Sequence, residues 1–321
     1  MRRIRCNRHT SMTVICLLAA VLLVGVAGCN GLGDKDVPAD DAIVIPTYEE
    51  LAASQNGRVG KITSYWARGT FEVKWREADG STRTEIGDGH LVFKPPNRIA
   101  LTLSKLGEEF LWAGCDDERF WLFLGGDDSI GYVGRNENVS HPAADLLPLP
   151  VHPLDLLELL GLFALPDASN PADRLPPTPE VVLGHPGRFG LRYNWDQHER
   201  PYRFASFNPD TLLPDWVGFY VPGREPRRLS ASLTQYASMS IVGLNPGEYP
   251  KVPEWVEIND DDHRGWIRLS LRDPSDRTGS GREINNRLFD YKTVKRKMRP
   301  GTVVVLDARC PVPAVPLGES P

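Results

Sequence analysis

The densest run of potential metal ligands in the chain is Asp260-Asp261-Asp262-His263. Carboxylates and an imidazole are donors that a divalent cation would accept. On an extended chain, however, successive side chains point to alternate faces, so these four cannot all converge on one ion. The run reads as a polar loop between strands, where such residues concentrate. His90 and His185 each stand beside a glycine and read as solvated turn residues rather than general bases. Gly279-Ser280-Gly281-Arg282 lacks the strand before it and the helix after it that a phosphate-cradling loop requires, and it reads as a flexible connection. No G-x-S-x-G, H-E-x-x-H, C-x-x-C or P-loop sequence occurs. The residue pattern thus specifies no catalytic, metal or cofactor site and argues against an enzyme.

One cysteine does stand in a reactive context. Arg2, Arg3, Arg5 and Arg8 precede the apolar stretch Val14 to Cys29, and no charged residue follows until Asp34. A basic segment, an apolar core and small residues at its end make an export signal. Val26-Ala27-Gly28-Cys29 has the form of a bacterial lipobox, in which the cysteine is thioether-linked to diacylglycerol and becomes the acylated first residue after cleavage. The alternatives are a secretory signal cut elsewhere or a spanning helix; the latter wants about 20 apolar residues, and this core is shorter. Asn30, rather than Asp, follows the cysteine, which favours the outer over the inner membrane. Residues 1–28 are then the signal peptide, and residues 29–46, rich in Gly, Asp and Pro, a flexible tether facing the periplasm. Cys115 and Cys310 remain; the default is two thiols, with a disulfide the alternative in an oxidising compartment.

Without residues 1–28 the chain has 33 basic and 42 acidic residues, a formal charge of −9. That balance excludes nucleic acid as a partner, since such binding depends on neutralising phosphates. Two basic clusters stand against it: Arg224, Arg227 and Arg228, and the set Lys292, Lys295, Arg296, Lys297 and Arg299. The second reads as a solvated loop or, functionally, as a contact for anionic lipid headgroups.

The elements that must position these residues are mostly strands. Thr47 and Glu50 form a capping box before Tyr48-Glu49-Glu50-Leu51-Ala52-Ala53, predicting a short helix that frays near Asn56-Gly57. From Trp66 the period becomes two: Phe71, Val73 and Trp75 face one way, Glu72, Lys74 and Arg76 the other. Asp79-Gly80 turns the chain into a return strand from Thr82 to Phe93, with Gly87 and Gly89 marking a bulge or bend. Ile99 to Leu103, Phe110 to Trp112 and Phe120 to Phe123 complete a five-stranded meander. Pro153 to Phe163 reads as an apolar helix covered on most sides, either an ordinary buried helix or a lid over a cavity. Six prolines between residues 164 and 186 make an extended link. A second set of strands follows, around Leu191 to Trp195, Arg200 to Phe207, Trp216 to Tyr220, Leu229 to Leu233, Trp255 to Ile258 and Trp266 to Leu271. Roughly ten amphipathic strands argue for one strongly curved antiparallel sheet in a single domain from 47 to 309, with a Pro-rich tail at 310–321.

The order of these features resembles the LolA/LolB-like lipoprotein carrier superfamily. Leu91-Val92-Phe93-Lys94-Pro95-Pro96-Asn97-Arg98, Phe207-Asn208-Pro209 with Leu213-Pro214, and Phe289-Asp290-Tyr291 followed by Pro300 to Asp307 carry the likeness, over about residues 47 to 307. The resemblance implies a mainly β (α+β) fold: an incomplete β-barrel with helices covering its concave side and a hydrophobic cavity for acyl chains. It implies a lipid or an acylated lipoprotein as ligand. The expected lining residues are Phe71, Val73, Trp75, Leu91, Phe93, Leu101, Leu103, Trp112, Leu157 and Leu160. The alternative is a structural or assembly lipoprotein with a packed core and an envelope protein as partner.

Overall fold

A computed structural model of the chain describes residues 45–76, 80–126, 129–138, 147, 151–166, 180–183, 189–193, 202–220, 229–260, 265–278 and 283–307. Residues Ile45–Pro321 form one compact unit. The signal peptide, Cys29, the tether up to residue 44, His185, Arg224, Arg227, Arg228, Asp261 to His263, Gly279 to Arg282, and Cys310 lie outside the described residues.

The first strands are β1 (Tyr65–Arg76), β2 (Thr82–Lys94), β3 (Arg98–Lys105), β4 (Glu108–Cys115), β5 (Arg119–Leu124) and β6 (Ile130–Arg135). The second set is β7 (Glu180–Leu183), β8 (Phe189–Tyr193), β9 (Tyr202–Phe207), β10 (Pro214–Tyr220), β11 (Leu229–Ser238), β12 (Lys251–Asp260) and β13 (Trp266–Ser275), and β14 (Thr302–Val305) comes last. They form one sheet in the order β14-β6-β5-β4-β3-β2-β1-β13-β12-β11-β10-β9-β8-β7. Its two ends do not pair with each other, so it is an unclosed barrel. Every pairing is antiparallel except β14 on β6, which is parallel. The two meanders meet where β1 pairs with β13, Phe71 opposite Leu269 and Val73 opposite Ile267.

The alternation read in β1 holds: Phe71, Val73 and Trp75 are buried in the main core. No bulge interrupts β1 and β2 at Gly87 and Gly89, because the two strands pair without a break from Tyr65↔Phe93 to Arg76↔Thr82. Gly69 lies opposite Gly89, and both glycines leave room for a neighbouring strand. A Cβ on Gly89 would stand 1.8 Å from the Thr102 carbonyl oxygen, and one on Gly69 2.1 Å from that of Ser270. Strands approach this closely only where a sheet coils hard, and side-chain-free positions permit it.

Helix α1 (Tyr48–Val59) starts at Thr47, whose hydroxyl accepts from Glu50 N while the Glu50 carboxylate accepts from Thr47 N, the predicted capping box. It runs past Asn56-Gly57. Helix α2 (Pro153–Leu159) ends in a Schellman motif: Gly161, at φ +69°, donates to Glu158 O, and Leu162 N donates to Leu157 O. Both helices place leucines in the main core, Leu51 from α1 and Leu156 and Leu159 from α2.

Three expectations change. The basic cluster is not a loop but helix α3 (Tyr291–Met298), capped by the Asp290 side chain, which accepts from Thr293 N. It packs on the opposite face of the sheet from α1 and α2, over Trp112, Trp121 and Phe123. His90 is on β2 and not in a turn, its ring 5.3 Å from that of Trp66. The Pro-rich link contains a strand, β7, and β6 extends the first meander to six strands.

Candidate functional site

Beneath α2 the core is not completely filled. An apolar gap is walled by Val73 of β1, Ile99 and Leu101 of β3, Leu111 of β4, Leu122 of β5, Ile267 of β13, and Leu147, Val151, Pro153 and Leu156 from the segment that carries α2. Out to its mouth it holds about 550 Å³ free of atoms, but the centre of a water-sized sphere can reach only about 30 Å³ of it. By that second measure one water needs about 10–15 Å³. The gap as it stands admits a few methylene-sized groups, whereas pockets for drug-sized ligands span about 300–1,000 Å³.

Of the ten residues expected to line a cavity, Val73 and Leu101 border the gap. Phe71, Trp75, Leu91, Phe93, Leu103 and Leu160 are buried in the same core, and Leu157 is half-buried against it. Trp112 is turned the other way: Leu111 takes the inward position on β4, and Trp112 packs under α3. In Phe110-Leu111-Trp112 either phase of the alternation puts a bulky side chain inside, so the strand pattern alone does not choose. Leu156, Ile267 and Leu147 were not anticipated; for the first two, the signal was their place on an apolar helix and a half-buried strand.

The cover over the gap packs apolar side chains into the core and is also tied to α1 by polar contacts. Gln55 Nε2 donates to the carbonyls of Gly161 (3.0 Å) and Phe163 (2.7 Å), immediately after α2. Asn56 makes a two-way pair with Leu165, Nδ2 to O at 2.8 Å and N to Oδ1 at 2.7 Å. Tyr48 Oη donates to Pro166 O at 2.6 Å. Arg58 is buried, and its guanidinium donates to Lys251 O, Gln55 Oε1 and Gly161 O. Burial pushes its pKa down from the ordinary arginine value. Thus α1 grips residues 161–166 by their backbone, the one feature every sequence presents there.

Two titratable groups belong to the cover itself. Glu158 of α2 meets Arg203 of β9 at 2.6 Å. Burial pushes its carboxyl up to about 7; Arg203 acts against that shift and Asp155 adds to it. His152, just before α2, packs edge-on against Phe120 with ring centroids 4.3 Å apart, and burial holds its pKa down at about 3. Among the described residues no group of three or more His, Cys, Asp and Glu side chains is placed to hold a metal ion. Cys115 is a free, buried thiol that donates to Asn97 O at 2.8 Å, and burial pushes its pKa up to about 12.

Fold and gap together define an unclosed, strongly coiled antiparallel barrel with a helical cover over its apolar interior. No protein-family model matches the sequence, and a search of curated proteins finds no match. Solved structures similar to the chain include a DUF1329 family protein from Desulfovibrio piger, with 10% identity over 76% of this chain and 96% of that one, at a TM-score of 0.47. A LolA superfamily protein from Nitrosomonas europaea is 10% identical over 77% and 99%, at 0.45. A protein described as an outer-membrane lipoprotein-sorting domain, from Vibrio parahaemolyticus, is 13% identical over 77% and 97%, at 0.43. The second belongs to the superfamily that the sequence resembles. The likeness is one of chain path, and at these identities and scores it carries nothing about ligand or role. Among the described residues no helix is long and apolar enough to cross a membrane.

Proposed function

We propose that the protein is a bacterial envelope lipoprotein, anchored by acylated Cys29 and facing the periplasm from the outer membrane, that takes a lipid or the acyl chain of a client beneath α2. The observation that carries this reading is the apolar gap roofed by a short helix that packs its leucines into the core, with the segment after it hydrogen-bonded through its backbone to α1. Binding is burial without covalent chemistry, each methylene removed from water contributing about 0.8 kcal/mol. The described state is the closed one. An acyl chain enters when α2 and residues 161–166 lift from α1, exchanging side-chain contacts in the core for contacts with the ligand. Trafficking of lipoproteins or lipids to the outer membrane is the role that this behaviour fits.

The small room in the gap favours a second reading, a non-catalytic assembly lipoprotein with a packed core and a protein partner. Native mass spectrometry of residues 45–321, purified without detergent, separates the two when combined with titration of a fluorescent fatty acid. A co-purifying lipid or acylated peptide, or saturable uptake of the probe, supports the first. A bare protein mass with no saturable uptake removes the acyl-binding reading and leaves the second. Anchoring is tested separately: labelled fatty acid incorporates into the full chain and not into the Cys29→Ala variant.

A further inference from the structure

Helix α3 has two unlike faces. Val294 is fully buried among Trp112, Trp121 and Phe123, and Tyr291 and Met298 flank it. Tyr291 lies 5.9 Å from Trp121 and 6.1 Å from Phe123 by ring centroids. That side of the helix is used in holding it to the sheet. Lys292, Lys295 and Arg296 fall at i, i+3 and i+4, which share the other face of the helix, Arg299 follows at its left-handed C-cap, and all four are exposed. Exposed Arg119 adds a further cation, its guanidinium 5.5 Å from the Tyr291 ring. Lys297 is set apart from the rest: it pairs with Glu109 and lies 5.0 Å over the Trp112 ring. Lys292, Arg296 and Arg299 make no ion pair among the described residues. A repulsive stripe of this kind is held on a chain whose formal charge is −5, so it departs from the surface average and is rigidly mounted on the sheet.

We infer that this face of α3 docks the domain on an anionic phospholipid bilayer. Charge complementarity points to a surface of phosphate groups, because a row of separate exposed cations along one helix fits a plane of headgroups better than one ligand. The length of chain before the domain points the same way. Fifteen residues separate Cys29 from Ile45, and such a segment spans at most about 55 Å, so an acylated chain keeps the domain close to the bilayer. Docking fixes the domain's orientation, which a flexible tether alone does not do. In this respect the inference rests on the anchoring reading, but it does not require the apolar gap to bind anything.

The test is flotation of residues 45–321, which lack the anchor, with vesicles of phosphatidylcholine alone or with about one third phosphatidylglycerol. The domain is expected to float with the anionic vesicles in low salt and to be released at high salt, as screening shortens the reach of the charges. The variant Lys292→Gln, Lys295→Gln, Arg296→Gln is expected to lower partitioning roughly a hundredfold, corresponding to about 1 kcal/mol per cation. Lys292→Arg with Lys295→Arg is expected to preserve it, because a membrane reads charge and not side-chain shape. If the triple variant loses its fold, each single variant is expected to lose about fivefold by the same constant. Equal binding to neutral vesicles, no binding to either, unchanged binding of the neutralised variant or lost binding of the arginine variant each overturns the inference. Vesicle binding that fails while Cys29 is acylated removes the docking face only. Flotation of residues 45–321 that holds while the full chain fails to incorporate labelled fatty acid at Cys29 removes the anchor only.

Discussion

At the scale of single residues, two titratable groups whose protonation burial shifts, Glu158 and His152, belong to the cover over the gap. Glu158 is the clearest case. Its carboxyl is raised to about 7 by burial, against a starting value of 4.5, so between those values the folded chain holds a proton that the unfolded chain releases. The resulting stabilisation is full below about pH 4.5 and is lost as the pH rises through about 7. Glu158→Gln keeps the neutral shape at every pH. Relative to that variant the wild type is expected to lose about 1–3 kcal/mol of unfolding free energy between pH 5 and pH 8, read from denaturant titrations at several pH values. A wild type that gains on the variant over this range would show that Arg203 outweighs burial. Residue-scale legibility in the sequence was uneven. Thr47 with Glu50, and Phe71 with Val73 and Trp75, follow local rules and fold as those rules predict. The roles of Glu158 and Arg203 depend on a contact across 45 positions of sequence, which no local pattern encodes. Trp112 was misplaced because its neighbours on β4 are as apolar as it is.

At the scale of elements, α1 acts as a clamp on the segment after α2. Asn56 satisfies both backbone groups of Leu165, and Leu165 is buried. Removing that side chain leaves a buried N–H and C=O unpaired, at a cost of about 1–3 kcal/mol if they stay inside. The segment can avoid this cost by opening. Asn56→Ala is therefore expected to speed amide exchange at residues 160–165 by about tenfold or more, since about 1.4 kcal/mol is a factor of ten, with the exchange of β1 and β13 unchanged. The same variant is expected to take up a fluorescent fatty acid faster. Unchanged protection of the Leu165 amide would show that the core leucines of α2, and not α1, hold the cover. The capped start of α1 and the apolar character of α2 were readable in the sequence; the clamp was not, because Gln55, Asn56 and Arg58 look like ordinary solvated positions near a helix end. Helix α3 was missed for a related reason. Its five cations suggested a solvated loop, although Asp290 at the cap and Tyr291, Val294 and Met298 at helical spacing carry the opposite signal.

At the scale of the whole molecule, the apolar gap is a consequence of sheet curvature. Residues near 70 and near 270 pair along the seam of the two meanders, and the sheet coils where Gly69 and Gly89 face each other across β1 and β2. The sequence announced many amphipathic strands and hence a curved sheet, but the seam is a pairing across about two hundred positions and the coil depends on which strand edges approach most closely. Both are properties of assembled strands. A methyl group on Gly89 would stand 1.8 Å from the Thr102 carbonyl oxygen, a backbone atom that cannot rotate away, so β2 and β3 would have to separate or flatten. Gly89→Ala is expected to destabilise by more than about 4 kcal/mol, in the range reserved for exceptional single substitutions, or to prevent soluble folding. Gly57→Ala supplies the contrast. That glycine lies within α1 with nothing within 4 Å of the added carbon, so alanine is expected to stabilise by about 0.5–1 kcal/mol. Thermal unfolding of both variants of residues 45–321 decides the matter. A Gly89→Ala protein that melts within a few degrees of wild type would mean that the strands have slack at the coil, and that the curvature enclosing the gap is set elsewhere in the sheet.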